Sequence, residues 1–121
     1  MLTVARAKAA AAGLTVALVL GDASDPPFPP ASADTVLCRH VLWALDDPGA
    51  AVGRWVRLLR PGGRLVLVEG RWGTGAGLTA DECRDLVLRH RSSAEVRPLS
   101  DSPALWGGPV DDERYLLSSS R

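Results

Sequence analysis

Residues 34–69 read DTVLCRHVLWALDDPGAAVGRWVRLLRPGGRLVLVE, and the succession of periods within them decides the fold class. Residues 34–38 are a short apolar run of the kind a strand buried on both faces requires. Residues 39–45 then turn into a short helical segment. Asp47 offers an N-cap carboxylate and Pro48 takes the first helical position, where its missing N–H costs no hydrogen bond. Val52, Trp55, Val56 and Leu59 recur at helical spacing, which puts Trp55 in the core; Arg54, Arg57 and Arg60 fall on other faces or at the C-terminal end and read as a solvated surface. Arg60-Pro-Gly-Gly63 ends the helix, and residues 64–69 give another buried strand. Strand, helix and strand in one sheet imply a right-handed parallel crossover, hence an α/β domain.

Working outward, residues 2–12 are dominated by alanine and predict a helix, with Gly13 suited to the left-handed position after it. Residues 15–20 are a nearly continuous apolar run and predict a further buried strand ending at Gly21-Asp22. Residues 25–30, Asp-Pro-Pro-Phe-Pro-Pro, can continue neither helix nor sheet, because proline removes the backbone donor. Downstream, residues 70–77 form a glycine-rich loop around Trp72, and Thr79-Ala-Asp-Glu82 is a capping box that opens a helix with Cys83, Leu86, Val87 and His90 on one face. Residues 94–99 and 114–119 alternate as two strands, and the long connection through Pro103, Gly107, Gly108 and Pro109 suits an antiparallel pairing.

With 121 residues the chain fits a single domain, 1–121, and its 46% of apolar residues are enough for a modest core. Fourteen basic and fourteen acidic side chains cancel, so no general field draws in nucleic acid or an anionic membrane. No uninterrupted apolar stretch reaches membrane-spanning length. Cys38 and Cys83 lack metal-ligand spacing and read as reduced thiols of a cytoplasmic protein, so no metal site is expected.

Three turns stand in order at the carboxyl ends of the expected strands, the edge where open α/β sheets bind ligands: Gly21-Asp22-Ala23, then Arg39-His40 after residues 34–38, then the strand that follows Leu58-Leu-Arg-Pro-Gly-Gly-Arg-Leu65. With that order the chain resembles the class I S-adenosylmethionine-dependent methyltransferases, in particular their small-molecule branch, over essentially its whole length. The resemblance implies a Rossmann-like sheet, mostly parallel with an antiparallel final strand and helices on both faces. It also implies S-adenosylmethionine as cofactor and a small-molecule methyl acceptor. In that family an acidic residue after the third strand accepts from the adenine amino group and the next N–H meets a ring nitrogen; Asp22 and Ala23 match those positions. Cys38 and Arg39 match the turn whose backbone carbonyl meets the methionyl ammonium group. The Pro61-Gly62-Gly63 turn is structural in the family, reversing the chain into the strand that follows.

His40, Trp43 and Trp72 lie on loops at the ligand edge and are the candidates for shaping the acceptor pocket. Each has a plainer reading: a loop histidine that satisfies backbone carbonyls, or a tryptophan that packs, as Trp43 and Trp106 can. Methyl transfer needs alignment above all and a base only when the acceptor loses a proton, so no single catalytic residue is assigned. The family's glycine-rich turn and its following acidic residue do not occur before residue 15, a difference of about 30 residues or one βαβ unit. The expectation is therefore a truncated domain in which residues 15–20 dock directly against residues 34–38, or else one that is unstable or oligomeric. Its activity would be impaired or depend on a missing amino-terminal segment, which a second chain could supply. The alternative is a non-catalytic interaction subunit that keeps the sheet.

Overall fold

The computed structural model describes residues 2–121. Helix α1 spans Leu2–Ala11 and ends at Gly13, whose φ of +70° is the left-handed conformation glycine adopts without strain. Strand β1 is Ala33–Arg39, a 3₁₀ turn covers Leu42–Ala44, and helix α2 spans Pro48–Leu58. As read from the sequence, the Asp47 carboxylate accepts from the Ala50 N–H at 3.1 Å. Strand β2 follows as Leu59–Arg71, helix α3 as Ala80–Leu88 with Thr79 as its cap, strand β3 as Glu95–Pro98 and strand β4 as Glu113–Ser119.

The four strands form one sheet in the order β1-β2-β4-β3. β1 and β2 are parallel and register Val36 with Leu65, Leu37 with Val66 and Cys38 with Leu67; the other two pairings are antiparallel. Alternation along these strands sends Leu65, Leu67, Tyr115 and Leu117 to one face, where they pack with Val52 and Trp55 of α2 and Cys83 and Val87 of α3 in a single buried cluster. The α/β class, the Rossmann-like sheet and its antiparallel end are as expected.

Three details differ. Residues 15–20 run without a partner and join no sheet, so they do not dock on β1, and the parallel share is a single strand pair. Apolar sequence supplies the side chains of a buried strand but not the neighbouring backbone it must bond to, and β1 offers its free edge without that segment reaching it. Helices α2 and α3 share the cluster face, whereas α1 buries none of its residues. The Pro61-Gly62 segment, finally, is no separate reversal but an irregularity inside β2, between the Ala33–Leu59 and Thr35–Arg64 pairs, with Gly62 at φ +79°. Gly63 there lies against backbone: a Cβ would come 2.8 Å from the Arg60 carbonyl and 3.1 Å from that of Asp34. Among the described residues no helix is long and apolar enough to cross a membrane.

Candidate active site

The carboxyl ends of β1 and β2 lie side by side, and the segments that leave them carry most of the residues singled out above. Asp22 sits in a tight turn, its Oδ1 accepting from the Ser24 N–H at 2.9 Å and the Ser24 hydroxyl at 2.8 Å. Both donors favour the charged form and hold the carboxyl below its ordinary range. This turn is tied to α2 by two contacts across the chain: the Trp55 indole N–H donates to the Ala23 carbonyl at 2.8 Å, and Arg54 donates to the Ser24 carbonyl at 3.3 Å. Trp55 is therefore both core, as expected, and tether. Arg54 leaves the solvated surface assigned to it.

Ala23, Cys38 and Arg39 come together along one open groove of about 280 Å³ that also takes in Leu37, Val41 and Trp55. Asp22 borders the neighbouring depression, beside Leu45, Asp46 and Arg54. The structure thus brings three of the four expected cofactor residues to a common wall, with the fourth adjacent in sequence. Cys38 is a half-buried thiol pushed up by burial and by the nearby Glu69.

Glu69 was not legible as a site residue. It is completely buried at the end of β2 on the cluster face, and its Oε1 accepts from the Leu42 N–H at 2.9 Å, which pins the 3₁₀ turn after β1. Its Oε2 is buried without a partner. Burial pushes this carboxyl up to about 7, against the opposing pull of the Leu42, Val41 and Trp43 N–H groups.

On the other face, His40 adopts φ +55°, which takes it out of the pleat of β1. Its ring meets Trp72 edge to face at 4.9 Å and stacks on Trp106 at 6.0 Å. Arg114 lies 4.6 Å from the Trp106 ring centre and 5.5 Å from that of Trp72, and its Nε donates to Asp112 Oδ1 at 2.7 Å. His40 Nε2 is buried with no partner, and burial together with Arg39 and Arg114 lowers the imidazole's affinity for a proton. His40 and Trp72 are hence brought together as expected. Trp43 is not: it stands 37% exposed on the 3₁₀ turn, outside the aromatic stack. Trp106 and Arg114 complete the stack, and their pairing across the long connection before β4 leaves no local sequence signal.

A sulfonium nucleoside has a purine edge that donates, a ring nitrogen that accepts and an ammonium group that seeks a carbonyl. Asp22 keeps its Oδ2 clear of the Ser24 contacts, and the backbone of Arg39 faces the open side of β1. These groups fit the two ends of such a molecule.

Residues 1–67 match the family described as "Methyltransferase domain". A demethylmenaquinone methyltransferase of Thermus thermophilus is 42% identical over 69 residues, which cover 57% of this chain and 31% of that protein. Nocamycin O-methyltransferase of Saccharothrix syringae is 43% identical over 68 residues, covering 55% of this chain and 24% of the relative. The chain thus spans less than a third of these curated relatives. Among solved structures, the cyclase SpnF superposes with a TM-score of 0.75 at 18% identity, over 95% of this chain and 61% of that one. A methyltransferase-like protein of Bacillus halodurans gives 0.73 at 17% identity, over 98% and 77%. Likeness at this identity is a likeness of fold, and the first of the two performs a cyclisation on it.

Proposed function

The chain belongs to the methyltransferase domain family, and from that membership we propose that it serves methyl transfer from S-adenosylmethionine to a small-molecule acceptor. The observation that carries this reading is the convergence of Ala23, Cys38 and Arg39 on one groove at the carboxyl end of the parallel strand β1. Asp22 and the Ala23 N–H hold the adenine, the turn at Cys38 and Arg39 takes the ammonium group, and Trp55 and Arg54 keep the adenine turn in place. Bound, the cofactor supplies an electrophilic methyl group on a sulfonium. What the chain itself contributes is position: Glu69 fixes the turn after β1, and the His40–Trp72–Trp106 stack forms a wall where an acceptor can lie. Burial and the charges of Arg39 and Arg114 lower the affinity of the His40 imidazole for a proton, and its ring belongs to that wall. Two free cysteines are in keeping with a reducing, cytoplasmic setting.

A second reading, a non-catalytic subunit that keeps the sheet, is favoured by one observation: residues 15–20, which lead into Asp22, are unpaired. Thermal unfolding separates the two. Saturation with cofactor at a hundred times its dissociation constant stabilises the folded state by about 2.7 kcal/mol, whereas a subunit without the site gains nothing. Asp22→Ala is expected to weaken binding by about tenfold to a hundredfold, the worth of a hydrogen bond to a charged group, as measured by calorimetric titration. Because Asp22 is exposed, the variant's unfolding midpoint without cofactor should stay close to the parent's. Equal affinity for parent and variant would remove Asp22 from the site.

A further inference from the structure

The segment around the 3₁₀ turn Leu42–Ala44 takes part in both depressions at the ligand edge. Val41 lines the groove of Ala23, Cys38 and Arg39, while Ala44 and Leu45 line the depression that Asp22 borders. Packing alone holds this segment weakly: Val41 and Trp43 are exposed, and of residues 41–43 Leu42 alone enters the core. Val41, at the N-cap, offers no side-chain acceptor, so the N–H groups that a first helical turn leaves over must find one elsewhere. Glu69 supplies it from the end of β2. Its Oε1 accepts from the Leu42 N–H at 2.9 Å, and the Val41 and Trp43 N–H groups also act on the carboxyl.

We propose that Glu69 is a positioning residue for ligand binding: through Leu42 it sets the segment that walls both the Asp22 depression and the Ala23–Cys38–Arg39 groove, and so governs a ligand it does not touch. The identity of that ligand rests on the methyltransferase reading; the hold on the turn does not. The hold works with the carboxyl protonated. Oε2 is buried without a partner, and the groups facing it are the thiol of Cys38 on β1, the thiol of Cys83 on α3 and the phenol of Tyr115 on β4, whose hydroxyl donates to the Leu78 and Thr79 carbonyls. The 3₁₀ turn and α2 add Leu42, Val52 and Trp55 to the same cluster, and none of these titrates. Among the described residues no ion pair includes Glu69. An ionised Oε2 in this place requires water. Leu67, Cys83 and Tyr115 belong to the closed core behind it, so water enters past the turn and draws it off β2. Burial pushes the carboxyl up to about 7, so ligand affinity is complete below that value and declines as pH rises through it.

The test is calorimetric titration of the chain with S-adenosylhomocysteine at about pH 5.5, 7 and 8.5, with circular dichroism showing that each protein is folded. Glu69→Gln accepts from Leu42 but has no proton to lose, and is expected to bind as the parent does at the lowest pH. Relative to that variant the parent loses affinity by up to about thirtyfold at the highest pH, the limit for one linked proton. Glu69→Leu keeps the bulk without the acceptor and binds at least about tenfold more weakly than the glutamine variant at every pH, with the amide signals of residues 41–45 displaced. Equal pH dependence in the parent and the glutamine variant overturns the proposal, and does so even if the leucine variant fails to fold. A leucine variant that binds as the glutamine variant does overturns it too. Should none of the proteins bind at any pH, the methyltransferase reading falls, and the ligand-free amides decide the rest. The signals of Leu42, Ala44 and Leu45 are expected to move in one step near pH 7 in the parent and to stay fixed in the glutamine variant; signals that behave alike in both overturn the hold on the turn.

Discussion

Replacing Trp55 with alanine will cost the domain about 3–5 kcal/mol of unfolding free energy, the range for truncating a large buried aromatic. Trp55 is only 3% exposed and lies between α2 and the inner face of the sheet, with Val52, Leu65 and Leu67 in the same cluster. Ordered backbone limits how far the walls can collapse into the space vacated. The indole also holds the Ala23 carbonyl at 2.8 Å, so the turn that presents Asp22 loses its tether to α2. Trp55→Phe separates the two roles: it keeps most of the packing and loses the hydrogen bond, for about 1 kcal/mol, while cofactor affinity still falls because the adenine turn is released. Urea unfolding at unchanged slope is the measurement; a loss below about 1 kcal/mol for the alanine variant would show that the indole is not integral to the core.

The next largest effect is one of pH. Glu69 has its carboxyl pushed up to about 7 from an ordinary 4.5 by burial, so between those values the folded chain holds a proton that the unfolded chain has released. Its contribution to stability is therefore complete below the lower value, declines as pH rises through the interval and is gone above the upper one, a fall of at most about 3 kcal/mol. The groups facing it are the thiol of Cys38 on β1, the thiol of Cys83 on α3, pushed up to about 12, and the phenol of Tyr115 on β4, also pushed up. None of them carries a positive charge that would hold the carboxylate. Glu69→Gln mimics the protonated acid and still accepts from Leu42, so it should level this decline and leave the variant more stable than the parent at about pH 8 but not at about pH 5. Equal pH dependence in the two proteins would place the orphaned oxygen in contact with water.

The stretch from β1 through α2 to β2 was readable because each of its signals is local: apolar runs, a capping aspartate and a proline at the first helical turn. Residues 15–20 carry the same apolar signal and form no strand, since pairing is a property of two segments and composition describes one. The order of turns, through the resemblance, pointed to the stretch where Ala23, Cys38 and Arg39 line one groove, with Asp22 at the depression beside it. What holds that stretch was not legible. Trp55 reaches Ala23 across 32 positions and Glu69 reaches Leu42 across 27, and neither contact leaves a periodicity or a spacing to find. His40 is intermediate: its place at a strand end could be read, but the left-handed backbone that turns it onto Trp72 and Trp106 could not.

Amide chemical-shift mapping during titration of the nitrogen-labelled chain with S-adenosylhomocysteine reads the site directly. Saturable changes confined to the turns at Asp22–Ala23 and Cys38–Arg39, at the carboxyl end of β1, are the expected result. Changes confined to α3 or β3, or no saturable change, would contradict it.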